Sequence, residues 1–194
     1  MNKSRLEAIS DGVIAIVITV MLIELNIPQG NTFAALQHEL HTILSYVLSF
    51  IYLGIYWNNH HHLFQLVKTV NGKIMWINLH LIFWLTLIPY TTAWSAQSNY
   101  AAIPTAAFAF ILFMCSLSYD ILERLIMREQ GDTSIARKVL GKDKKLAASV
   151  VLYASSIFLS FVDTRITLFI LILLAVLWFF PNKHIEDYCS AKQE

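Results

Sequence analysis

Charge is what this chain has least of: only 14% of its 194 residues are Asp, Glu, Lys or Arg, while 57% are hydrophobic. A water-soluble enzyme of this size carries nearly twice that share of charge, so the composition excludes one. The 14 basic and 13 acidic residues leave a net charge of +1. That balance supplies neither the basic field that holds a nucleic acid nor an acidic tail. The chain has only two cysteines, Cys115 inside an apolar run and Cys189 near the end, which form no CxxC metal spacing. Nucleophile spacings for catalysis and internal repeats are also missing, and the reading is of a protein that is not an enzyme and needs no resident cofactor.

What is present is long uncharged sequence. Twenty-eight residues separate Glu39 from Lys68 without a charge, and 46 separate Lys73 from Asp120. A bilayer crossing takes about 20 apolar residues, so the second gap holds two crossings, divided by Gln97-Ser98-Asn99 and Pro104. Leu146–Val162 and Ile166–Asn182 supply 17 uncharged residues each. The segment Leu6–Ile27 is also apolar but carries Glu7, Asp11 and Glu24, so it must face something other than lipid. It has no signal-peptide features and should stay in the mature protein. The expectation is one all-α integral membrane domain over 1–194, with six transmembrane helices near 6–27, 36–66, 74–96, 101–126, 145–162 and 165–181. Alternation of six spans puts 13 of the 14 Lys and Arg residues on one side, Arg165 being the exception. Basic residues are retained in the cytoplasm, so both termini are expected there.

Polar residues at membrane depth gather at one level. Counted at about 1.5 Å per residue from the cytoplasmic charges, Ser10, Asp11, Asn58, Asn59, His60, His61, His62, Asn78 and His80 all lie roughly 8–15 Å inside the span ends. Such groups can tie helices one to three together by hydrogen bonds. They can also bind a metal or sense protons, although three consecutive helical histidines point about 100° apart and cannot chelate one ion together. On the first helix, Gly12, Ile16, Thr19/Val20 and Ile23 recur at helical spacing and form a narrow stripe. The stripe fits a helix-packing face, or a pore lining in which branched side chains form a constriction that gates by dewetting.

The sequence Arg5-x-x-x-Ile9-Ser10-Asp11-Gly12, continuing through Val13–Thr19 to Leu22-Ile23-Glu24-Leu25, resembles the opening of the transmembrane protein 175 family of potassium channels. Tyr56-Trp57-Asn58-Asn59-His60-His61 is similar to that family's second-helix motif. The family's usual Phe before Ser-Asp is Ile9 here, which keeps an apolar side chain. The resemblance implies a prokaryotic plasma-membrane subunit that assembles as a homotetramer in the lipid bilayer, with the first helices around a central pore for K+ and other monovalent cations. It implies a constriction at Ile16, Val20 and Ile23 and a selectivity layer at Thr19. It also implies a structural network of Arg5, Ser10, Asp11, Gly12, Trp57, Asn58, His60, His61 and His80, and weak selectivity. The rival expectation is a metal- or proton-coupled transporter using Asp11 and the histidine cluster.

Overall fold

The structure, a computed structural model, describes residues 2–23, 25–131 and 145–180. The described residues form eight helices: α1 (Lys3–Ile23), α2 (Phe33–His38), α3 (Leu40–Gln65), α4 (Gly72–Thr86), α5 (Ile88–Gln97), α6 (Ala102–Glu129), α7 (Lys145–Leu159) and α8 (Thr164–Phe179). Four stretches are long and apolar enough to cross a membrane: Lys3–Ile23, Leu40–Gln65, Gly72–Gln97 and Ala102–Glu129. The fifth and sixth expected spans coincide with α7 and α8, which are apolar but only 15 and 16 residues long. Of the basic residues used to orient the chain, Arg137, Lys138, Lys142, Lys144, Lys183 and Lys192 lie outside the described residues.

Three boundaries differ from the sequence reading. The first helix ends at Ile23 rather than residue 27, and Pro28 disfavours helical backbone at Ile27, the expected end. The expected helix 36–66 divides at Glu39. Here the carboxylate accepts hydrogen bonds from the Asn26 amide at 3.2 Å and lies 3.1 Å from His38 Nδ1. The His38 and Asn26 contacts hold the Glu39 carboxyl below its ordinary pKa, just outside the membrane-spanning part of α3. The expected helix 74–96 kinks at Leu87, because Pro89 has no N–H to give the Leu85 carbonyl and its ring crowds that turn.

The long α6 is the centre of the bundle and packs against α4, α5, α7 and α8. It contributes Phe108, Leu112, Cys115 and Leu122 to the core. Two tyrosines bolt neighbours together through backbone oxygens: Tyr52 of α3 donates to Leu171 O at 2.8 Å, and Tyr119 of α6 donates to Asn59 O at 3.0 Å. At one end, Asn71 caps α4 through Ile74 N and also donates to Glu129, while Gln130 accepts from Lys68 N and donates to Thr69 O. These bonds fasten the α3–α4 loop to the end of α6. By contrast, α1 packs chiefly on α3 and α4 among the described residues.

Candidate functional site: an exposed face of α1 and the network behind it

The two sides of α1 have different surroundings. Leu6, Ser10, Ile14 and Met21 are buried against the bundle. Gly12, Ile16, Thr19, Val20 and Ile23 are all exposed on the other side, Ile16 at 62% and Ile23 at 79%. A β-carbon added at Gly12 would meet nothing within 4 Å, so close packing inside the subunit does not require glycine there. Thr19 Oγ1 donates to the Ala15 carbonyl at 2.8 Å, which spends its hydrogen and leaves its lone pairs available to a cation.

Behind this face a directed chain of hydrogen bonds crosses three helices. Ser10 donates to Leu6 O at 2.8 Å; Asn78 Nδ2 donates to Ser10 Oγ at 2.9 Å. With its amide nitrogen so engaged, Asn78 presents Oδ1 to His60 Nε2 at 2.7 Å. His60 must therefore donate from Nε2, and its ring also stacks on Phe64 with centroids 4.4 Å apart. Ser10 and Asn78 are fully buried and His60 nearly so. A second link joins α1 to α3, where Trp57 Nε1 donates to Asp11 Oδ1 at 2.9 Å.

The expected single inner layer is thus several separate contacts. Asp11 meets an indole rather than an imidazole. His61 stacks on Trp57 and lies 2.9 Å from Gln65 Nε2. His62 meets the edge of His61, and its Nδ1 is enclosed without a partner among the described residues. Asn59 turns to the opposite side of α3, donating to Ile55 O and Trp178 O. His80 does not reach the Asp11 group and links α4 to α6 instead: Trp84 Nε1 donates to His80 Nε2 at 3.1 Å, and His80 Nδ1 donates to Ser118 Oγ at 2.9 Å, since the Ser118 hydrogen goes to Met114 O. Asn58 is half-buried; Arg5 is exposed and has no side-chain partner among the described residues. Among the described residues no three of His, Cys, Asp and Glu are placed to hold a metal ion. Asn78 is the member of the layer that sequence reasoning undervalued. An amide between two potential partners gives the only signal, and its use of both ends appears only in three dimensions.

This arrangement, an apolar helix with one unpacked face fixed by Ser10, Asp11 and the second-helix aromatics, accompanies a close relationship along the whole chain. A potassium channel of Chryseobacterium sp. (strain P1-3) is 47% identical over 186 residues, covering 96% of this chain and 97% of that one. The chain belongs to the TMEM175 family. The family model described as endosomal/lysosomal potassium channel TMEM175 matches residues 5–89, the part that contains α1 and its supports on α3 and α4. The TMEM175 fold is seen again in the crystal structure of a lysosomal potassium-selective channel TMEM175 homolog from Chamaesiphon minutus, with a TM-score of 0.78 at 24% identity, covering 91% of this chain and 95% of that one. The endosomal/lysosomal proton channel TMEM175 of Rattus norvegicus is 27% identical over 131 residues, which are 65% of this chain and 26% of that protein. TMEM175 proteins are channels rather than enzymes, and this member is a membrane protein built of apolar helices.

The Asp11–Trp57 contact gives a first expected result. Asp11→Ala and Trp57→Phe each remove the same bond, and each should lower the thermal stability of the purified protein by about 0.6–2 kcal/mol. The double variant should lose little more than either single one, as residues sharing one interaction are not additive. Additive losses in a melting experiment would show that the two side chains act separately.

Proposed function

We propose that this chain is a subunit of a potassium-permeable, weakly selective cation channel, a homotetramer in which four copies of α1 surround the pore. The observation that carries the proposal is the exposed stripe Gly12, Ile16, Thr19, Val20 and Ile23 on a helix whose other face is packed. A single copy cannot enclose a water path with that stripe; several copies around an axis can. Ile16, Val20 and Ile23 then form apolar rings, with Ile16 as the constriction. Branched apolar groups do not replace a cation's hydration shell, so such a ring opposes passage by excluding water. Thr19 places four hydroxyl oxygens next to the Ile16 and Val20 rings. Of the expected network of Arg5, Ser10, Asp11, Gly12, Trp57, Asn58, His60, His61 and His80, the bonds of Ser10, Asp11, Trp57 and His60, joined by Asn78, support a structural role in holding the pore helix, while His80 ties α4 to α6. The potassium-channel relative from Chryseobacterium supports permeation by potassium here.

The transporter alternative is weaker, since Asp11 bonds to Trp57 and the histidines diverge. Six spans in a prokaryotic plasma membrane, with both termini cytoplasmic, complete the reading. It is tested by crosslinking in mild detergent together with reversal potentials under potassium/sodium and potassium/chloride gradients in bilayers. Species up to four subunits and a cation-selective current that favours potassium only modestly are expected. Flux carried by a monomer or dimer would remove the α1 pore.

Thr19→Val is nearly isosteric and exchanges an oxygen for a methyl on an exposed face. The potassium-to-sodium permeability ratio should fall with tetramer yield unchanged. An unaltered ratio in bi-ionic recordings would take Thr19 out of the selectivity layer.

A further inference from the structure

The exposed face of α1 also carries a charge. Arg5, Ile9, Gly12 and Ile16 follow one another at i, i+4, i+7 and i+11, and all four are exposed. Eleven residues make three turns and about 20°, so Arg5 stands almost directly below Ile16, about 17 Å nearer the N-terminus of the helix. The other charged groups at this end turn elsewhere. Lys3 and Glu7 each lie about 160° round the helix from Arg5 and meet there, with Nζ 3.9 Å from Oε1. Asp11 lies about 120° round from Arg5 and accepts the Trp57 indole hydrogen. Neither α3 nor α4, the helices on which α1 packs, contains an acidic residue. The Arg5 guanidinium therefore has no carboxylate partner among the described residues. No acid occupies the first turn of α1 either, so the partial positive charge of the helix N-terminus adds to that of Arg5.

We infer that the Arg5 side chains of the assembled subunits form a positively charged collar at the N-terminal mouth of the pore, which hinders potassium entering from that end more than potassium arriving from the other. The inference rests on the reading of α1 as the pore helix in four copies. A guanidinium does not lose its charge at any working pH, so the collar repels a cation before it reaches the Ile16 ring. Four unit charges about 10 Å from the axis, in water at about 0.1 M salt, where the screening length is also about 10 Å, lower the local concentration of a monovalent cation about threefold. At about 1 M salt the screening length is only about 3 Å, and the effect nearly disappears. The collar thus makes the channel a rectifier without a moving part. On the topology proposed above its end is cytoplasmic, so the outward potassium current is the one held back.

The test compares currents from the two ends in bilayers with equal KCl on both sides. In the wild type, the current entering at the Arg5 end, relative to that from the other end, should rise about threefold between about 0.1 M and about 1 M KCl. The charge is then varied on one assembled protein. Arg5→Cys in a Cys189→Ala background, where the remaining Cys115 is buried, should show the raised relative current already at the lower salt. Trimethylammonioethyl methanethiosulfonate, which adds a positive charge, should restore the wild-type ratio. Sulfonatoethyl methanethiosulfonate, which adds a negative one, should raise the ratio further, with both adducts verified by mass spectrometry. A wild-type ratio indifferent to salt, or equal effects of the two adducts, overturns the inference. So does an Arg5→Cys thiol that stays unmodified in assembled protein, since a neighbouring copy then covers the position. Should Arg5→Cys not assemble, the salt dependence of the wild type decides alone. Altered conductance in Ile16→Asn with an unmoved ratio in the Arg5 variants removes the collar and keeps the α1 pore; no change in either removes both.

Discussion

Ile16→Asn is expected to raise potassium conductance about tenfold and to bring the potassium and sodium permeabilities closer together. Asparagine is of similar size but offers polar atoms to water, so a ring of four no longer excludes it. Lowering the barrier by about 1.4 kcal/mol is enough for the tenfold change. The substitution tests permeation with little confounding from folding, because Ile16 is 62% exposed in the subunit. Single-channel recordings and reversal potentials under a potassium/sodium gradient read both quantities. Tetramers with wild-type conductance and wild-type ion preference would leave the stripe as an ordinary helix-packing face.

Asn78→Leu should be the most damaging substitution behind α1. It removes two hydrogen bonds at once and strands the His60 Nε2–H in a buried site. An unsatisfied buried donor costs about 1–3 kcal/mol, and the loss recurs in every subunit. A clear drop in melting temperature and in the yield of assembled protein is expected. Ser10→Ala should cost less, because the amide loses one acceptor while His60 keeps its partner. Equal melting curves for Asn78→Leu and the wild type would mean that the three-helix chain contributes little to holding α1.

Much of this organisation can be read from charge and spacing. The uncharged runs locate the helices, and distances from flanking charges bring Ser10, Asp11, His60 and Asn78 to a common depth. The 3.6-residue period of α1 marks its stripe, and the structure leaves that stripe exposed. Pairing within the layer was not legible, because it depends on how each helix is rotated about and shifted along its own axis. Trp57 and His61 lie on one face of α3 a turn apart, so height along the axis decides that Trp57 meets Asp11, while the two-residue step from Trp57 to Asn59, about 200°, turns Asn59 to α8. His80 is only two residues from Asn78, which on a helix turns it towards α6. The break at Glu39 escaped for another reason: it involves Asn26, thirteen residues earlier, and no local signal anticipates that contact.

The one-way order of the His60, Asn78, Ser10 and Leu6 bonds also bears on proton movement. Relayed hopping needs each member to accept a proton on one side and release one on the other. This row ends on a main-chain carbonyl, which has no hydrogen to hand on, and passes through an amide that resists protonation. It is a dead end for protons. If the proposed pore is correct, any proton current is expected to follow its water path along the exposed face of α1 rather than this row. The row that fixes α1 offers protons no way across it.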